Sequence, residues 1–151
     1  MKQILLTTIL VFISFLDLNA QSYEYKVITS VESIVPMGVG RSRIISYEED
    51  KNYDDFTSER TDENNKQNKS KRSDIKIDDF EETKLLNFFS IAGINFKNIA
   101  SNDAIISSKI NTMTSNGWDL AFVVSGVESD AGKDDGQGIY ITRYIFKRLR
   151  E

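Results

Sequence analysis

Residues 23–31, YEYKVITSV, alternate without a break. Tyr23, Tyr25, Val27, Thr29 and Val31 point one way, and Glu24, Lys26, Ile28 and Ser30 point the other. Successive side chains of extended backbone fall on opposite faces, so this period of two, rich in β-branched and aromatic residues, predicts a half-buried strand. The stretch VPMGVG, residues 35–40, holds the single proline and two glycines and reads as a turn. RSRIISY, residues 41–47, predicts a second strand with Arg41, Arg43, Ile45 and Tyr47 on one face.

The pattern then stops. Residues 48–79 contain few large apolar side chains, with acids dominating to Glu63 and bases from Lys66 to Lys76. Such a tract buries too little apolar area to offset the roughly 1–2 kcal/mol per residue that ordering a backbone costs. A disordered polar insertion within one domain is expected, because loop closure costs only about 0.6 kcal/mol per doubling of length.

Apolar periodicity resumes in DDFEETKLLNFFSIAG, residues 78–93. Asp78 or Asp79 as a cap, acids in the first turn and Gly93 as a stop predict a helix. INFKNIA, residues 94–100, fits either a strand or a loop. SNDAIISSKINTMTSNG, residues 101–117, predicts a second helix capped by Ser101 or Asn102, with Ile106, Ile110 and Met113 as one apolar stripe. DLAFVVSGV, residues 119–127, reads as a buried strand. After the turn-rich DAGKDDGQG, residues 130–138, IYITRYIFKR (139–148) reads as the last strand, paired with its predecessor as a hairpin. The order implies an α+β fold: an antiparallel or mixed sheet of about four strands with one or two helices on one face.

The first twenty residues carry a different signal. Lys2 precedes an apolar run, Ile4–Leu16, that Asp17 closes, and Leu18-Asn19-Ala20 is a peptidase-type ending. Thirteen residues fall short of the roughly 20 needed to span a bilayer. A signal peptide over 1–20, cleaved to leave Gln21 first, is therefore expected, with a single domain over 21–151 and no transmembrane anchor after cleavage. Export to a periplasm or the exterior follows.

Composition narrows the chemistry. The chain has no histidine and no cysteine. Disulfides, thiolate nucleophiles and imidazole bases are excluded, and metal sites lose their nitrogen and sulfur ligands. The formal charge of −4 gives no overall attraction to nucleic acid. Residues 48–82 carry 13 acids and 7 bases, so the rest of the mature chain is slightly basic. Arg41, Arg43, Arg143, Lys147, Arg148 and Arg150 would form a patch for an anionic polymer if their strands were neighbours.

Three motifs recur in a familiar order: YEYKV at the mature start, NGWDLAFV after a helix, and ITRYIFKR at the end. Together they resemble a family of short bacterial domains of unknown function, with a YEYKVV-like strand, a helix ending in GWEL and a terminal strand ending in FKR. Exported Bacteroidetes-type proteins share GRSR, NFFSIAGINF and SGVESDAG as well. The resemblance spans much of the mature chain and implies a small α+β fold. It implies no activity, cofactor or catalytic residue, and the 48–79 insertion is where this chain departs from the pattern.

Few residue groups suggest a site. Glu128, Asp130, Asp134 and Asp135 crowd a glycine-rich stretch, where oxygen ligands suit calcium, yet their spacing is not that of an EF-hand loop. GVGRS, residues 38–42, lacks the lysine and spacing of a phosphate-binding loop. SNGWDL, residues 115–120, predicts a structural joint: Gly117 in the left-handed conformation ends the helix, and Trp118, the only tryptophan, packs back on Met113. No catalytic residue and no cofactor are assigned. The expected function is a non-catalytic binding or interaction module meeting an envelope or extracellular protein. A carboxylate-dependent hydrolase and a homo-oligomer pairing through a sheet edge are the alternatives.

Overall fold

The computed structural model describes residues 21–34, 42–63, 68–90, 92–128 and 138–150. The expected signal segment, the VPMGVG turn with Arg41, and Asp130, Asp134 and Asp135 lie outside these. The elements are β1 (Tyr23–Ser33), β2 (Arg43–Tyr47), β3 (Phe80–Lys84), β4 (Phe89–Ser90), β5 (Gly93–Ile94), α1 (Phe96–Ser115), β6 (Asp119–Glu128) and β7 (Ile139–Leu149). The fold is α+β. Five strands in the order β3-β2-β1-β7-β6 make one wholly antiparallel sheet, and β4-β5 make a separate two-stranded ladder.

β1 pairs with β7 along its whole length, from Tyr23↔Leu149 to Ser33↔Ile139. Two strands more than a hundred residues apart in the chain therefore lie together in the middle of the sheet. β6 and β7 pair as neighbours, with a bulge between Leu120 and Phe122. That bulge turns Leu120 and Phe122 to opposite faces, opposite Phe146 and Ile145 respectively.

α1 covers one face. Its stripe of Ile106, Ile110 and Met113, joined by Ile105, meets Ile28, Ile44, Leu85 and Phe146. Phe146 is fully buried. The covered face is nevertheless rich in polar groups: Ser30, Glu32, Ser42, Ser46 and Thr142 are all buried. Ser42, Glu32 and Thr142 are tied by local side-chain bonds, as most buried polar groups are. The Ser33 N–H donates to Ser42 Oγ at 2.9 Å, and Ser42 Oγ donates to Asn87 Oδ1 at 2.9 Å.

Five strands in the main sheet and one α-helix among the described residues are roughly what the sequence led one to expect, about four strands with one or two helices. Three finer expectations are corrected. Residues 78–93 form no helix: Phe80–Lys84 is an edge strand on β2, where Glu82 pairs with Arg43 at 2.6 Å and Glu81 reaches Lys109 at 2.8 Å. Helix-favouring acids and Leu85 gave the local signal, and cross-strand pairing overrode it. The helix begins earlier than Ser101, at Phe96, because Asn95 is its cap, its side chain accepting from the N–H groups of Lys97 and Asn98. Residues 119–127 form a strand, but at the sheet edge and largely exposed rather than buried; an apolar run is compatible with either position, and among the described residues only β7 flanks it.

Between β2 and β3, two single-turn 3₁₀ helices occur at Tyr53–Phe56 and Arg72–Ile75, and no described residue of 48–79 is buried. The two ends of the segment meet: Tyr47 pairs with Phe80, and the Glu48 N–H donates to the Asp79 carbonyl at 3.1 Å.

Candidate functional site

The end of α1 is built by Gly117, whose φ of +80° is the left-handed conformation that suits glycine. The Gly117 N–H donates to the Thr114 carbonyl at 3.0 Å and the Trp118 N–H to the Met113 carbonyl at 3.1 Å, the paired bonds of a Schellman stop. Met113 is buried, and Trp118 packs on the core cluster that contains it. The outer side of the indole is covered by Arg148, whose guanidinium carbon lies 4.4 Å from the ring centre. Glu24 Oε1 accepts from Arg148 Nε at 2.7 Å and lies 2.6 Å from Nη2.

Beside this joint runs a groove of about 770 Å³, lined by Glu24, Asn116, Gly117, Asp119, Arg148 and Leu149. Two carboxylates line it, which is what a carboxylate hydrolase requires. One of them, Glu24, is taken up by Arg148. No described serine or lysine joins them there.

A second buried group is Glu32. Burial pushes its carboxyl above the usual range, while the hydrogen bond from Asn102 pulls the other way and the nearby Asp103 charge adds to the rise. Asn102, wholly buried, donates to Glu32 Oε1 at 2.8 Å and to the Leu86 carbonyl at 2.7 Å, and accepts from the Leu86 N–H at 2.8 Å. The arrangement joins β1, α1 and the segment that follows β3. Its geometry is that of an internal brace.

The face of the sheet away from α1 has another character. Cross-strand register places Val27 beside Ile145, Val31 beside Ile141, Thr29 beside Ile45, and Phe122 beside Ile145. Tyr25, Phe80, Phe122 and Val124 on this face are exposed. Among the described residues the only α-helix lies on the opposite face. Antiparallel sheets tolerate water on one face when that face is polar; here the water-facing side is mixed, its apolar residues interspersed with Arg43, Glu82, Lys84, Arg143 and Lys147. Near its middle stands Arg143, exposed, opposite Thr29 on one side and Val124 on the other. Among the described residues no carboxylate pairs with it. Next to it a hollow of about 280 Å³ opens over Gly126, walled by Val124, Glu128, Ile141 and Arg143.

The sequence-derived basic cluster is divided by the fold. Arg43, Arg143 and Lys147 belong to the open face, while Arg148 turns to the helix side and Glu24. Lys147 lies over the Tyr23 ring at 4.8 Å. Of the candidate calcium ligands only Glu128 is described, exposed at the end of β6. Among the described residues no three His, Cys, Asp or Glu side chains converge as a metal-binding group, and no helix is long and apolar enough to cross a membrane. The open face itself escaped the sequence reading. Its signal was the alternation of residues 23–31, which separates two sets of side chains without saying which set the helix covers.

Comparison of the chain with protein-family models, with curated proteins and with solved structures finds no match.

Proposed function

We propose that this protein is a small exported, non-catalytic binding module that docks a partner protein on the open face of its sheet. One observation carries the reading: the uncovered side of the sheet is rich in apolar side chains. Beneath α1 lie the core residues Ile28, Ile44 and Phe146 with buried serines, Thr142 and Glu32, while the uncovered side carries Val27, Val31, Ile45, Ile141, Ile145 and Phe122 among the charged Arg43, Glu82, Arg143 and Lys147. Water is a poor neighbour for that side, at roughly 25 cal/mol per Å² of apolar surface. The partner it fits has an apolar surface with one acidic group placed to meet Arg143, because burying that guanidinium without a partner is costly. An envelope or extracellular protein is the class that residues 1–20 support, through the apolar run Ile4–Leu16 and the Leu18-Asn19-Ala20 ending.

The test is site-specific photo-crosslinking in the producing cell, with the crosslinker at Val31, Ile45 or Ile141 and, as controls, at Lys97 or Ser108 on α1. A discrete adduct is expected from the open-face positions and from neither control, and Arg143→Glu should abolish it. Adducts confined to α1, or a chain recovered uncleaved from the cytosol, would overturn the proposal.

A further inference from the structure

The two edges of the sheet are unlike. β3 is five residues long and carries Glu81, Glu82 and Lys84, the short and charged form that discourages strand addition. β6 is ten residues long, and between Asp119 and Glu128 it has no charge and no proline. Its apolar side chains stand exposed on both faces: Phe122 at 63% and Val124 at 58% on the open side, Val123 at 52% and Val127 at 61% on the helix side. A strand of that length presents an edge about 33 Å long with half its backbone groups unpaired.

We infer that β6 pairs antiparallel with β6 of a second copy, about a two-fold axis at Val124, to make one continuous ten-stranded sheet. The sequence of the edge is what selects a second copy. A two-fold axis perpendicular to the sheet keeps the open faces together, so residues of equal parity meet. Centred on Val124, the register sets Phe122 opposite the partner copy's Gly126, and Val123 opposite its Ser125. Gly126 lines the 280 Å³ hollow, and a Cβ built on it would meet nothing within 4 Å. A protruding ring and an empty socket thus lie four residues apart on one strand, and the two-fold axis delivers each ring to the other copy's socket. Ile141 and Arg143 form the far wall there, an aliphatic contact and a cation for the face of the ring. No like charges face each other within residues 122–126. The strip is narrow against the roughly 800 Å² per partner of a standard interface, so the dimer is reversible, with a dissociation constant of micromolar order. The pairing uses the edge, so it stands independently of what docks on the open face.

Light scattering of the purified chain across a concentration series reads the equilibrium directly, and a monomer–dimer transition is expected. Phe122→Ala removes the ring. Gly126→Val fills the socket, and a Cβ at Gly126 meets nothing within 4 Å, so the monomer accommodates it. Each should weaken the dimer at least about tenfold, while Thr83→Lys on the β3 edge leaves it unchanged. Val124→Cys, in a chain with no other cysteine, should form a disulfide-linked dimer on mild oxidation. If either of the first two variants fails to fold, this cross-link decides: linkage supports the pairing and its absence overturns it. A chain that stays monomeric at every concentration, or a dimer that Phe122→Ala and Gly126→Val leave intact, also overturns it.

Discussion

Asn102 sits at the end of the second helical turn with no apolar stripe to mark it, yet its side chain makes three hydrogen bonds to two separate segments. The sequence offered Asn102 as a helix cap, because an asparagine before an apolar stripe usually is one. What it could not show was Asn95, seven residues earlier, taking that role and freeing Asn102 to hold Glu32 and Leu86. Contacts between residues 70 positions apart leave no local trace. Glu32 makes this brace pH-sensitive. Its raised pKa means that the folded chain binds the proton more tightly than the unfolded one. Its contribution to stability is therefore full below about pH 4.5, the unfolded value, and is lost as pH rises through the higher folded value. Glu32→Gln keeps an oxygen for Asn102 and removes the titration. Thermal melts from pH 4 to pH 8 should show a smaller decline for the variant than for the parent, and parallel curves would rule the effect out.

At the scale of elements, the junction of α1 and β6 was the most legible part of the chain. Gly117 needs a positive φ, the stop motif then directs residue 118 back to residue 113, and a tryptophan there has a place to go. Arg148 and Glu24 were not legible in the same way, because they arrive from strands at the far ends of the sequence. Trp118 is half-buried, so Trp118→Ala should cost about 3 kcal/mol, at the low end for core aromatics. Denaturant unfolding should show a lower midpoint with an unchanged slope. β3 shows the opposite case. Acids, a leading aspartate and Leu85 describe a helix locally, whereas the strand forms by pairing with β2 from Arg43 to Tyr47, to which the exposed pairs Arg43–Glu82 and Lys109–Glu81 add only a little. Both faces of β6 are apolar, and that pattern marks a strand but not its number of neighbours.

The described residues divide into a sheet with one α-helix and a polar excursion between β2 and β3. The excursion leaves and returns at neighbouring positions, Glu48 and Asp79. Replacing residues 49–78 with an Asn-Gly turn would join β2 and β3 as a simple hairpin. The melting temperature should stay level or rise, since a shorter loop costs less entropy to close; a fall of more than a few degrees would show that the excursion supports the sheet. The α+β class and the terminal hairpin could be read from periodicity. The strand order could not, because it depends on pairing between segments with the whole chain between them. Glu24 and Arg148 are 124 residues apart and adjacent in the sheet. That adjacency also sets a timetable. Until β7 has been made and delivered, β1 lacks its longest partner and β6 has none, so no part of the five-stranded sheet beyond β1-β2-β3 can close. Non-local pairing of this kind folds slowly. A chain threaded through a narrow channel from its N-terminus would therefore remain pliable for nearly its whole passage, and would set only as its last strand came through.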